Sequence, residues 1–281
     1  MRLAISCLIV FAMYSGAEGA TAAQSTDTSA SALISAISGN LPIILSAPHG
    51  GKEPIPGVSQ RQGSGVARFS TGRDTRTDDL ADLLALELEK KFNAKPFVVI
   101  ARFERRYVDV NRASDAAFES VAVKSHYDGY HHALGEFVQR VGSHWGSGLL
   151  VDLHGEGTDA DAIYRGTQNG KTVKSLIQRF GPSAVNGNQS ISGQMAKLGY
   201  RVLPGAAGNE KETHYLGGYI VQTYGSHQPV GIDAMQLELG ANLRARANLE
   251  KTARNLAQAI EVFARAYLAT VNPNNRLPSA P

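Results

Sequence analysis

Leu41-Pro42-Ile43-Ile44-Leu45-Ser46-Ala47-Pro48-His49-Gly50-Gly51 is an apolar run that ends in a histidine followed by two glycines. Gly148-Leu149-Leu150-Val151-Asp152-Leu153-His154-Gly155 repeats the plan further along the chain. A short apolar run of this kind reads as a buried strand of an α/β sheet, and ligands and catalytic groups gather just beyond the carboxyl ends of such strands. Two imidazoles placed there, distant in sequence but on neighbouring strands, can hold one metal ion. Either histidine alone reads equally well as a hydrogen-bonded strand-end residue; the pair, each before glycine, favours ligation.

Outward from these two runs, strands alternate with helices. Thr77–Phe92 carries Leu80, Leu83, Leu84 and Leu88 at helical spacing. Pro96–Ala101 is a short buried strand, Asp128–Val141 a helix, Ile191–Leu198 a helix and Tyr200–Leu203 a strand. Ile232–Leu239 is a further strand, and Asn242–Leu268 a long Ala/Arg-rich helix. The alternation predicts one α/β domain over residues 40–271, with a mixed, mainly parallel sheet and helices on both faces. Gly50–Gly72, rich in Gly, Pro, Ser and Gln, is a long loop of the kind that is usually functional or disordered. Residues 23–39 read as a flexible arm before the fold and residues 272–281 as a loose tail.

The bulk numbers describe an ordinary globule of 281 residues, 43% hydrophobic and 19% charged, with a core large enough for one such domain. A formal charge of +3 with no Lys/Arg stripe argues against a nucleic-acid partner. Residues 1–22 have a positive start at Arg2, an apolar run over Leu3–Tyr14 and the small-residue site Ala20-Thr21-Ala22. That run is too short to span a bilayer, so a cleavable signal peptide is expected, hence a secreted or periplasmic protein with no membrane contact afterwards; the alternative is an anchor that stays attached. The single cysteine, Cys7, would leave with it. A mature chain without thiols excludes cysteine nucleophiles and cysteine ligands, so a metal must be held by imidazole and carboxylate.

Catalytic zinc sites have three protein ligands and an open fourth position. His49 and His154 supply nitrogen; the third ligand is Asp74 or Glu53, and Asp74 reads equally as the cap of the helix that follows. The run Arg105-Arg106-Tyr107-Val108-Asp109-Val110-Asn111-Arg112 offers Asn111 and Arg112 as a clamp for a substrate carboxylate, and Arg105 as an oxyanion partner. Taken by itself the run fits a salt-bridged surface strand better. In Met235-Gln236-Leu237-Glu238-Leu239, alternation puts Gln236 and Glu238 on one face. A carboxylate in a central strand needs a task or a partner. Glu238 is therefore either a general base or half of a buried ion pair. Gly217-Gly218-Tyr219 lets backbone approach a ligand closely.

In this order the motifs resemble the N-formylglutamate amidohydrolase family. They are Pro-His-Gly-Gly at His49, Asp74 with Asp78 and Leu80, Arg105 with Asp109-Val110-Asn111-Arg112, Asp152 with His154, Gly217-Gly218-Tyr219-Ile220 with Tyr224-Gly225, and Gln236 with Glu238. The resemblance spans residues 41–243. It implies a zinc-carboxypeptidase-like (phosphorylase/hydrolase-like) fold shared with aspartoacylases. It also implies one Zn2+ on His49, Asp74 and His154, with Asn111, Arg112, Gly217, Gly218, Tyr219 and Gln236 around the substrate. Arg105 would polarise the carbonyl and Glu238 would activate water. The related peptidases place their carboxylate ligand three residues after the first histidine, where this chain has Lys52. The expected substrate is an N-acyl amino acid such as N-formylglutamate, a γ-glutamyl compound or a peptide end. A metallocarboxypeptidase-like enzyme on peptides or cell-wall fragments is the neighbouring reading, and a non-catalytic binder of carboxylate ligands is the reading from another class. Oligomeric state is not written in these motifs.

Overall fold

The computed structural model describes residues 32–205, 210–268 and 277. The expected signal peptide and most of the expected arm lie outside these residues, as does the expected tail apart from Leu277, which packs on the core.

The strands are β1 (Ile34–Ile37), β2 (Ile43–Ala47), β3 (Phe97–Ala101), β4 (Leu149–Gly155), β5 (Ala162–Gly166), β6 (Arg201–Leu203) and β7 (Asp233–Leu239). The helices are α1 (Thr77–Phe92), α2 (Ser114–Ala117), α3 (Lys124–Trp145), α4 (Lys174–Phe180), α5 (Ser183–Asn186), α6 (Ile191–Lys197), α7 (Tyr219–Tyr224) and α8 (Leu249–Tyr267). The strands form one sheet in the order β1-β3-β2-β4-β7-β5-β6. Pairs β2/β3, β2/β4, β4/β7 and β5/β6 are parallel, whereas β1/β3 and β5/β7 are antiparallel. This is the mixed, mainly parallel α/β sheet that the alternation predicts.

The end of the expected arm departs from that reading. Ile34–Ile37 is an edge strand on β3 and not a free lead-in, because Ile34 also packs on the aromatic core beneath α3. The long helix begins at Leu249 and not at Asn242. Arg244 donates to the Leu239 and Glu156 carbonyls and so ties the preceding turn to the strand ends. Strand β5 escapes a periodicity reading because five residues after an acidic turn carry little pattern; its pairing with β7 defines it.

The side-chain period of two sorts each central strand between two cores. Leu149, Val151 and Leu153 of β4 join Leu80, Leu84 and Leu88 of α1 and the buried face of α8, while Leu150 joins Tyr130, Leu134 and Phe137 of α3 and Ile220 of α7. Each fully buried side chain of this size contributes about 1.5–3 kcal/mol. Continued two residues further, the same alternation places Asp152 and His154 on the α3/α7 face. In β7, where Met235, Leu237 and Leu239 face α1 and α8, it places Gln236 and Glu238 there too. No helix among the described residues is long and apolar enough to cross a membrane.

Candidate metal centre

His49 leaves the end of β2 and His154 the end of β4, its parallel neighbour. Their rings stand edge to face with centroids 4.9 Å apart. The glycines that follow are packing requirements. A Cβ at Gly51 would fall on the backbone of Arg102 and Phe103, and one at Gly155 would meet the Arg244 guanidinium. The third member comes from the turn that enters α1. The Asp74 amide donates to the His49 carbonyl at 3.0 Å, while the Thr77 amide and hydroxyl both donate to the Asp74 carbonyl. The turn closes through Arg76, a non-glycine residue at φ 66°, a conformation that needs such surrounding support. The α1 N-terminus has no side-chain cap, so the Asp74 carboxylate is free to face the histidines.

Asp74 Oδ2 lies 3.2 Å from His154 Nδ1 and 3.4 Å from His49 Nδ1, and the three donor atoms fall within 4.8 Å of one another. Glu53 is exposed and takes no part in the cluster; its backbone bridges to Phe103. Of the two candidate carboxylates, the fold brings Asp74 to the histidines.

Each histidine is oriented from behind. His49 Nε2 donates to Asp109 Oδ1 at 2.7 Å, and His154 Nε2 donates to Asp152 Oδ2 at 2.9 Å. With both Nε2 protons committed, both Nδ1 atoms turn lone pairs toward Asp74. A proton on His154 Nδ1 relieves one contact, but His49 Nδ1 remains buried without a hydrogen-bond partner. Three convergent acceptors with one orphan form a donor set that a divalent ion satisfies. The two Asp74–histidine separations are close to the roughly 3.3 Å between neighbouring ligand atoms that lie about 2.0–2.1 Å from a tetrahedral zinc. The carboxylate–histidine pairs supply the outer support such sites use.

The electrostatics follow from burial and partners. Burial pushes the Asp74 carboxyl up, yet His154 and His49 outweigh it and hold the group well below the usual range. Asp109 is likewise held low against burial by His49 and Arg105. Burial disfavours the charged His154 ring, but Asp152 and Asp74 raise it well above the ordinary value. Glu238, the register partner of His154, is pushed up to about 7 by burial; His154 opposes this and Asp74 and Asp152 add to it.

The arginine run is neither a strand nor solvated throughout. It is a turn-rich segment beyond β3, wrapped around Asp109, which has no exposed surface. Arg105 Nε and Arg112 Nε reach Asp109 Oδ2 at 2.9 and 3.1 Å. Arg112 also donates to the Ala67 and Arg68 carbonyls. Buried Arg61 donates to Ser70 and Arg105 carbonyls, so the long loop before α1 is strapped over the same hub. Asn111 accepts from the Ile220 amide at 2.8 Å and rests its Nδ2 3.2 Å from His154 Nε2. Arg112 and Asn111 are thus both engaged within the protein.

Gln236 accepts from the Gly218 amide at 2.6 Å and donates to Glu238 at 2.7 Å, aiming the carboxylate. Gly217, at φ 104°, turns the chain where it passes the end of β5, and a Cβ on Gly218 would collide with the Asn111 amide. Tyr219 starts α7 with its ring edge-on to His131, at 5.6 Å between centroids. That loop is anchored by Glu212, a buried carboxylate accepting from Thr167, Asn169 and Arg165. Reading by motif assigned no role to Asp109, Asp152, Arg61 or Glu212. The i, i+2 spacing of Asp152 and His154 on one strand face was the available signal for one of them; the others sit in irregular segments.

Sheet and cluster together define a mixed α/β protein with a His/Asp/His centre at strand ends. Among solved structures it is similar to the N-formylglutamate amidohydrolase of Ralstonia eutropha JMP134, at 17% identity and TM-score 0.61, over 84% of this chain and 98% of that one. A gene product of Agrobacterium tumefaciens is similar at 15% identity and TM-score 0.55, over 83% and 94%. No protein-family model matches the chain, and neither does any curated protein. At these identities the likeness is one of fold, and that fold is the one the six ordered motifs point to.

Proposed function

We propose that this chain is a zinc-dependent amidohydrolase that cleaves an amide bond in a substrate bearing a carboxylate, such as an N-acyl amino acid. The observation that carries the reading is the meeting of His49, Asp74 and His154 with Glu238 beside them on the adjacent strand. The donor set is all imidazole and carboxylate, with one buried imidazole nitrogen left unpaired.

His49, Asp74 and His154 would hold the zinc ion, which would supply Lewis acidity to the scissile carbonyl and to the attacking water. Glu238 takes the proton from that water as its oxygen bonds to the carbonyl carbon, then hands it to the leaving nitrogen as the C–N bond breaks. In the metal-free protein burial pushes the Glu238 carboxyl up to about 7, and a bound cation beside it would lower it again toward the ionised, proton-accepting form. Arg105 stabilises the developing oxyanion, and the remaining N–H groups of Arg112, with Asn111, orient the substrate carboxylate. Asp109 keeps those arginines in place and His49 in its tautomer. Residues 1–22 have the pattern of an export signal, which puts the reaction in the periplasm or outside the cell.

The test is hydrolysis of N-formylglutamate, other N-acyl amino acids, γ-glutamyl peptides and short peptides by purified protein, with zinc and with chelator. Chelator-sensitive release of an amine from one of these classes is expected. Failure on all of them with zinc bound would overturn the assignment.

A further inference from the structure

Behind His154 runs a chain of hydrogen bonds that the reaction above does not use. Asp152 binds the His154 proton through Oδ2, and its Oδ1 accepts from Ser46 Oγ at 2.7 Å. Ser46 Oγ in turn lies 2.8 Å from Tyr130 OH. The chain crosses β4, β2 and α3, and Asp152, Ser46 and Tyr130 have no exposed surface.

Its direction is dictated by chemistry. A carboxylate only accepts, so Ser46 commits its one proton to Asp152 and takes the Tyr130 proton on a lone pair. The other acceptor near Tyr130 OH, the Val99 carbonyl, is 3.5 Å away. Every donor therefore points toward Asp152. Helix α3 already packs on the sheet through Leu134, Phe137 and Val138, so docking does not need the two hydroxyls. Three polar groups in a dry sheet face are costly unless each is satisfied, and satisfied they fix one arrangement.

The two histidines are also supported differently. Asp109, behind His49, is flanked by Arg105 and Arg112. Asp152, behind His154, has among the described residues no ion-pair partner except His154 itself. Its remaining oxygen depends on the hydroxyl chain.

We propose that Ser46 and Tyr130 are positioning residues for the metal centre, holding Asp152 in the orientation that keeps the His154 proton on Nε2 and leaves Nδ1 to the ion. The inference rests on the metal-centre reading of the site.

The experiment uses the full chain and its Ser46→Ala and Tyr130→Phe variants. Zinc affinity is read by competition with a chromogenic chelator, and the His154 Nε2–H proton by NMR of zinc-free, histidine-labelled protein. Ser46→Ala is expected to weaken zinc binding about tenfold, within the range for outer-shell partners, and to broaden the Nε2–H resonance through exchange. Tyr130→Phe is expected to weaken binding by less than that factor, because Ser46 still donates to Asp152. Wild-type affinity in folded Ser46→Ala overturns the inference, and so does lost affinity with an unchanged Nε2–H signal, which would indicate packing. If Ser46→Ala does not fold, wild-type affinity in Tyr130→Phe overturns it. A wild-type chain that takes up no zinc would refute the metal reading, while the Nε2–H signal still decides whether the hydroxyl chain orients His154.

Discussion

His154 and Glu238 are register partners on the adjacent parallel strands β4 and β7, so their side chains leave the same face of the sheet at the same level. Backbone pairing alone therefore sets the candidate ligand beside the candidate base, and Gln236, two residues back, aims that base.

Glu238→Gln should leave zinc content unchanged and lower kcat on the order of a hundred- to ten-thousand-fold, the usual worth of a general base. Glutamine keeps an acceptor for the Gln236 amide, so folding should be little affected. Turnover measured beside metal analysis checks this; retention of most of the activity would remove Glu238 from the mechanism.

His154→Ala and Asp74→Asn should each release the metal on dialysis, because each removes or weakens one of three donors that meet at one point. Metal content by atomic absorption decides the matter. Wild-type stoichiometry in either variant would take that residue out of the ligand set.

Asp109→Asn should destabilise the fold strongly. The buried carboxylate holds His49, Arg105 and Arg112 together, and removing one charge of a buried pair costs about 3–5 kcal/mol. For a domain of this size that is a Tm lower by roughly 10 °C in a thermal melt. A shift of a degree or two would show that the arginines and His49 do not depend on this hub.

His131 should make the protein acid-sensitive. Its Nε2 donates to the Val110 carbonyl and its Nδ1 faces Tyr224 OH, and burial lowers its pKa from 6.5 to about 4. Between those values the unfolded chain binds the proton and the folded chain does not, so stability falls as pH drops from about 6.5 toward 4. The full effect is roughly 3 kcal/mol. Urea midpoints of wild type and His131→Gln across this window check it, the variant losing that share of the slope; parallel profiles would contradict it.

Gly51→Ala should lose about 2 kcal/mol or more, because the added methyl meets backbone atoms of Arg102 and Phe103 that have no rotamer to yield. The strand exit would shift and carry His49 with it, so zinc affinity should fall alongside the melting temperature. Unchanged values for both would mean that the two segments can separate at no cost.

The local patterns were legible because their causes are local. Leucines at helical spacing gave α1 at Thr77–Phe92 to the residue, and the apolar runs ending in His49 and His154 marked two strands and two candidate site residues at once. Alternation in β7 put Gln236 and Glu238 on one face before any partner strand was known. Strands β1 and β5 were not legible, because four or five residues of weak pattern become strands only through a neighbour.

The amino-acid sequence by itself determined the α/β class and marked the two histidines and Glu238 as candidates, since each depends on residue type and short-range period. Only the tertiary structure chose Asp74 over Glu53, wrapped the arginines around Asp109 and joined Tyr130 to His154 through Ser46 and Asp152. Those relationships link residues distant along the chain. They depend on which strands are neighbours and how loops cross their ends, geometry that no local pattern encodes.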